Sequence, residues 1–385
     1  MLSRSLSVKV GPERMALADG LQPFLFRSRN GTLFLQAQLT MPPGLKINKK
    51  NVIPGDGICG NVLSRDGGRT WERWSPKDWQ KRRGYFEGAI TELRDGTILM
   101  MEYVADVGKR PGEFVTNLWE SNDDLQTLRG PIRATIHLPQ AEGVGYDDGG
   151  RPYTGVTFHR TLVEMPPARG YGDLLATIYC WFKGDNTPCP YMPKMCKFRC
   201  VLLRSKNRGR HWEFVSTIAA DPKIGEEGFD EPVMVRLSKG PHAGRFVCLM
   251  RTGCYECPIY QTVSDDEGRT WSKPRPLWFP GVDPDLIEMR DGTLACSFGW
   301  RTKNWTNPKP PSKLGNCVIF SRDQGETWTN LTRLPIEPNA NTPWTTCYTT
   351  LREIASRKLL VVYDIGRWGM PVRYIGSREV RVRRR

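Results

Sequence analysis

No apolar stretch of this chain is long enough for a membrane span. The best, Leu174 to Phe182, is nine residues flanked by Asp173 and Lys183, against the roughly 18 to 20 that a bilayer core requires. A transmembrane helix is therefore excluded. The amino terminus, MLSRSLSVKVGPERM, has no apolar h-region, so the expectation is a cytoplasmic chain or one whose secretory signal was removed before residue 1. A sustained 3.6-residue hydrophobic period is also missing, which argues against a helical architecture. Cysteine occurs as an odd total of 11, scattered through apparent strands at Cys248, Cys296, Cys317 and Cys347; this excludes a regular disulfide framework and leaves reduced thiols. Only Cys196, Cys200, Cys254 and Cys257 have spacings compatible with zinc; nothing in the sequence brings them together, so no metal or cofactor is assigned. Acidic residues are few beside basic ones, 41 against 56, for a net charge of +15, which directs attention to anionic partners. Five of the basic residues (Arg378, Arg381, Arg383, Arg384, Arg385) fall in the last eight positions, and Lys81, Arg82 and Arg83 form another cluster. The excess reads as solvated surface. No nucleic-acid module is present, so nucleic acid is not an expected partner.

What the sequence does have is a globular composition, 39% hydrophobic and 25% charged with 38 glycines and 30 prolines, and an internal repeat. Four segments share the form Ser-x-Asp-x-Gly-x-Thr-Trp: Ser64 to Trp71, Ser205 to Trp212, Ser264 to Trp271 and Ser321 to Trp328, with Asn207 and His211 the departures at fixed positions. A degenerate copy lies at Ser121-Asn122-Asp123, and a sixth place falls at Ser377. Ser and Asp suit hydrogen bonding to turn backbone, Gly supplies positive φ, and Trp packs on a neighbouring sheet. The starts are separated by 57, 84, 59, 57 and 56 residues, so the long interval reads as an insertion over about residues 130–200. Ahead of the boxes come turns at Gly31, Gly96, Gly172, Gly244, Gly292 and Arg357, each followed by short apolar strands. Six turns and six box positions predict one domain over 1–385, an all-β six-bladed β-propeller of four-stranded antiparallel blades, with the insertion in blade three.

Aligning the blades on these turns places Gln22, Glu87, His159, Glu231, Asp283 and Tyr348 at the start of the six first strands. Polar groups in all six places suit a site at the axis better than they suit packing; solvated strand edges along a wet channel are the alternative. Second strands add Tyr103, Arg251 and Asp364, each seven residues after its turn.

The box repeat resembles that of the sialidase (neuraminidase) superfamily, and the resemblance covers almost the whole chain. In that family the boxes are peripheral. A tyrosine attacks the anomeric carbon, a glutamate takes its proton, an aspartate is acid/base, and three arginines hold the substrate carboxylate. The resemblance implies Tyr348 as nucleophile, Glu231 as its partner, and Asp56, eight residues before the first box, as acid/base. A tyrosine suits an anionic sugar because a carboxylate nucleophile would be repelled. Arg251 resembles the second arginine of the triad. The other two are unmatched: Leu21-Gln22 stands where the first is expected, and Lys313, eight residues before Ser321, stands where the third is. Arg27, Arg160 and Arg301 are the candidate replacements. Arg251, Lys313, Gln22 and Asp364 are expected to bind substrate, and Glu87, His159 and Asp283 to bind its hydroxyls or to carry different acid/base chemistry. The implied activity is exo-hydrolysis of sialic acid or a related acidic sugar, with retention and with no cofactor. Two alternatives stay open: a lyase or uronic-acid enzyme in which His159 and Tyr348 abstract a proton, and a non-catalytic glycan-binding propeller.

Overall fold

The computed structural model describes residues 6–38, 59–74, 89–147, 150, 152–167, 172–301, 315–335, 344–366 and 372–384. Every regular element among them is a β-strand; no helix among them is long and apolar enough to cross a membrane. The strands follow from short runs of branched and aromatic residues punctuated by glycine turns. Phe246–Arg251, buried at all six positions, starts two residues after Gly244 at φ 101°.

Contacts divide the chain into two units, Met1–Tyr85 with Asp283–Arg385, and Phe86–Val282. The first contains three four-stranded sheets. One runs Leu21–Arg27, Leu33–Gln38, Cys59–Ser64, Glu72–Arg73, and a second Val282–Glu288, Leu294–Trp300, Gly315–Ser321, Thr329–Leu334. The third runs Thr349–Ala355, Lys358–Ile365, Tyr374–Arg384, and its outer strand is the amino-terminal segment Leu6–Leu17. Leu6 faces Arg384 and Val10 faces Val380 in that antiparallel pair. The last sheet is thus completed by the first strand, which the repeat did not foretell. Arg378 is drawn into it as well. Rather than lying in a solvated tail, it is 4% exposed, and it donates to the Tyr363 hydroxyl (2.7 Å) and to the Gly11 and Pro335 carbonyls (2.9 Å each). Leu351, Val361, Val380 and Phe320 form the core here.

The second unit has one four-stranded sheet, Asp230–Arg236, Phe246–Arg251, Pro258–Ser264, Arg275–Pro280, and one of ten strands. In the larger sheet seven strands close on themselves: Val104–Val107, Glu113–Ser121, Arg129–His137, His211–Ala219, Arg199–Ser205, Leu174–Phe182 and Val156–Glu164. Two short pairings make the closure, Thr135 to His137 parallel to His211 to Glu213, and Val156-Thr157 against Val104-Ala105. Leu99, Phe158, Ile178 and Trp212 fill the shared core. Residues 130–200 do not form a single insertion here. Much of that span is sheet, and the excess is carried by two small hairpins, Val144–Tyr146 with Pro152–Thr154 and Pro188–Cys189 with Met192–Cys196.

Five turns of the Ser-x-Asp/Asn type share one hydrogen-bond scheme. The Ser hydroxyl donates to the Asp or Asn at 2.8–3.0 Å and accepts a main-chain N–H four residues on. The degenerate copy at Ser121 closes in the same way, with Leu125 in the glycine's place at φ 68°. Gly268 is at φ 83°, and a Cβ there would lie 2.2 Å from Leu202 Cδ2. Gly268→Ala is therefore expected to cost about 2 to 3 kcal/mol from strained backbone plus overpacking; chemical denaturation checks this, and a loss below 0.5 kcal/mol, about the noise of a surface change, would contradict it.

Hydrogen bonds from the Thr270 main chain and hydroxyl hold the Asp266 carboxyl down to about 2, and the Thr70 hydroxyl and main chain hold Asp66 lower still. Because the folded value is depressed, this stabilisation is present above the ordinary 3.8 and is lost as pH falls through about 2. The melting-temperature gap between wild type and Asp266→Asn should be present near neutral pH and vanish in strong acid; a gap independent of pH would contradict the assignment.

Candidate active site

Gln22, Glu231 and Asp283 begin their strands with left-handed backbone, φ 51°, 41° and 50°, and each precedes a proline. At Gln22 and Glu231 the pairing register also shifts. Such conformations cost about 1 kcal/mol or more for a residue with a side chain and persist where surroundings enforce them.

In the second unit the enforcement comes from charge. Arg251, 3% exposed, ends its strand opposite Asp230. Its Nη1 donates to Glu231 Oε1 at 2.7 Å, its Nη2 to Glu227 Oε1 at 2.8 Å, and its Nε to the Gly253 carbonyl at 3.3 Å. Asp230 Oδ2 lies 3.9 Å from Nε. One guanidinium thus meets three buried carboxyls. Burial, followed by the charge of Glu227, pushes Asp230 well above the usual carboxylate range although Arg251 opposes this. Tyr191, on the 188–196 hairpin, donates its hydroxyl to Glu227 Oε1; burial and the Glu227 charge push that phenol upward. His159 is 1% exposed. Its Nδ1 is 3.1 Å from the Pro232 carbonyl, which fixes that nitrogen as the donor. Through that contact it braces the strand that carries Glu231.

In the first unit, Tyr348 is half-buried. Cys347 before it has φ 67°, and its carbonyl lies 1.8 Å from where a Cβ on Gly299 would stand. Only glycine at 299 admits that approach. The Arg301 guanidinium carbon is 5.4 Å from the Tyr348 ring centroid, and Arg301 Nε and Nη2 donate to the Thr346 carbonyl at 3.0 and 2.5 Å. Arg301, one of the three candidate replacement arginines, thus stands beside Tyr348. Arg27 ends the strand that begins near Gln22, pairing with Leu33 at the turn end, and Arg160 is 5% exposed at φ 44° in the other unit.

Asp364 and Asp283 have no solvent exposure. Asp364 accepts from Thr345 Oγ1 (2.6 Å), the Thr346 N–H and hydroxyl, and the Gln22 N–H (2.9 Å); burial raises it despite these donors. Asp283 Oδ2 accepts from the Thr349 N–H at 3.2 Å, and Asp285 Oδ2 from Thr350 Oγ1 at 2.6 Å and the Leu351 N–H at 3.0 Å. Through these bonds the carboxylates tie neighbouring segments together. Gln22 is half-buried with its main chain on Asp364.

Asp56, Glu87 and Lys313 lie outside the described residues. Among the described residues no group of three or more His, Cys, Asp or Glu side chains is arranged to hold a metal ion. Cys196, Cys200, Cys254 and Cys257 form no disulfide among the described residues, and the Cys200 thiol donates to the Phe229 carbonyl. Sequence reasoning missed Glu227, Asp230 and Tyr191. Asp230, adjacent to Glu231, was the one open to detection, whereas Glu227 and Tyr191 sit in a loop and a hairpin that no repeat aligns.

The all-β fold is shared with propeller glycoside hydrolases. A Dyadobacter fermentans protein of unknown function superposes with a TM-score of 0.67 at 18% identity, covering 98% of this chain and 99% of that one. A Penicillium chrysogenum α-L-arabinanase complexed with arabinobiose gives 0.60 at 15%, covering 96% and 98%. A Hadza microbial sialidase gives 0.59 at 15%, covering 94% of this chain and 65% of that one. At these identities the likeness is one of fold. No family model matches the chain, and no curated protein does.

Proposed function

We propose that this chain is a glycoside hydrolase, a single six-bladed Asp-box propeller over 1–385, that removes terminal sugars. In this reading Glu231 is the proton acceptor, Tyr348 the nucleophile and Asp56 the acid/base. One observation carries it: Glu231 stands on strained backbone, buried among Arg251, Glu227 and Asp230, and a charged network of this kind is costly for mere packing but useful for chemistry. The cation beside Tyr348 supports its role, since a nearby positive charge favours phenolate. A tyrosine nucleophile suits sialic acid or a related acidic sugar. The burial of His159 weighs against the lyase.

Arg251 favours a second reading of the substrate. Its guanidinium already meets Glu231 and Glu227, which makes it a counter-ion for protein carboxylates rather than a clamp on a substrate carboxylate. A neutral sugar, such as the arabinobiose named for the Penicillium neighbour, fits that arrangement. Aryl α-sialosides and aryl α-L-arabinofuranosides, assayed with wild type and Tyr348→Phe, decide between them. Sialoside turnover that disappears in the variant supports the first reading, and arabinofuranoside turnover supports the second. Binding of glycans with no turnover of either would replace both with a binding protein.

A further inference from the structure

Glu227 and Asp230 are 1% and 5% exposed. Glu227 Oε1 is taken by Arg251 and Tyr191, while Asp230 Oδ2 is turned to the Arg251 Nε at 3.9 Å. The remaining oxygens, Glu227 Oε2 and Asp230 Oδ1, are buried and receive a hydrogen bond from no donor among the described residues. The two carboxyls lie within hydrogen-bonding range of each other. Two bare carboxylates in such a place repel and lack solvation, whereas one proton between them satisfies both orphan oxygens.

We propose that Glu227 and Asp230 hold a single proton between them, and that Arg251, which grips Glu227 with one arm and Glu231 with the other, couples the charge of this pair to Glu231. Neither acid touches the reacting atoms in this scheme; both are positioning residues. The groups that face the pair are Glu231 on the same strand, Glu226 in the preceding loop, Cys189 and Tyr191 on the hairpin, Cys200 on the adjoining strand, and Arg251, Cys254 and Cys257 at the end of the next strand and after it. Arg251 is the one cation among them, so a fully ionised pair is poorly compensated. The pair behaves as one unit with its own titration rather than as two separate acids.

The coupling to Glu231 rests on the catalytic reading above, while the shared proton does not, and the test keeps them apart. Infrared spectroscopy of the full chain at neutral pH should show the carbonyl band of a buried protonated carboxyl. Asp230→Asn and Glu227→Gln should each abolish it, because the new amide donates to the surviving carboxylate, whereas Glu231→Gln should leave it in place. Absence of the band in wild type, or its survival in both variants, overturns the shared proton. Each single variant leaves one negative charge on the pair; the double variant removes it. The Glu231 carboxyl, followed by carbon NMR, should then become about tenfold more acidic in the double variant. An unmoved titration overturns the coupling. Turnover lost in Glu231→Gln, measured separately, judges the catalytic reading alone.

Discussion

Arg251→Met should destabilise the protein by about 3 to 5 kcal/mol, the cost typical of removing one partner from a buried ionic network. The side chain is 3% exposed and meets Glu231, Glu227 and the Gly253 carbonyl, so its loss strands carboxylates where water cannot reach them. They escape by binding protons. Without the cation their folded pKa values rise above the unfolded ones, so stability is retained at low pH and lost as pH rises. Urea unfolding at about pH 5 and about pH 8 measures both effects: the deficit of the variant should be small in acid and full in base. A deficit under 1 kcal/mol, or one that does not change with pH, would show that the network is more hydrated than its burial indicates.

Glu231→Gln should lower turnover by about a hundred- to ten-thousandfold, the range for losing a positioned proton acceptor, with the protein still folded. Glutamine keeps the shape and can accept from Arg251 Nη1, so the strained start of the strand is preserved. Removing one of three acids around a single cation relieves repulsion, and the melting temperature should hold or rise. That combination separates a catalytic role from a structural one. If activity survives, Glu231 is only a counter-ion to Arg251 and its role as proton acceptor falls.

The turns were the most legible part of the chain, because their hydrogen bonds are local: Ser264, Asp266 and Gly268 find one another within a few residues wherever the turn is placed. The first strands were legible too, since Gln22, Glu231 and Asp283 announce themselves ahead of a proline and an apolar run. What those residues touch was not legible. A buried carboxylate and a ligand-binding one look alike in a sequence, and only the threonines at 345, 346 and 349 reveal Asp364 and Asp283 as ties between strands. The partners of Arg251 were hidden for the same reason: Glu227, which closes on it, comes from a loop 24 residues away that no periodicity marks. Leu6–Leu17 gave no sign of being a sheet strand, since its Ser, Lys, Pro, Glu and Arg residues look like a solvated segment until Tyr374–Arg384 is set beside them.

That last pairing bears on how the molecule assembles during synthesis. Leu6 leaves the ribosome well ahead of its partner Arg384, because every residue between the two must be translated first. Until then Leu6–Leu17 has no main-chain partner in its sheet, and Lys358–Ile365 waits with one edge open. Joining residues so far apart carries a loop-closure cost that local turns never meet, so closure of this sheet should be a slow step. Late-stage nascent chains would then present two unsatisfied strand edges at once, the condition under which chaperone capture or exchange with a second copy competes with correct closure.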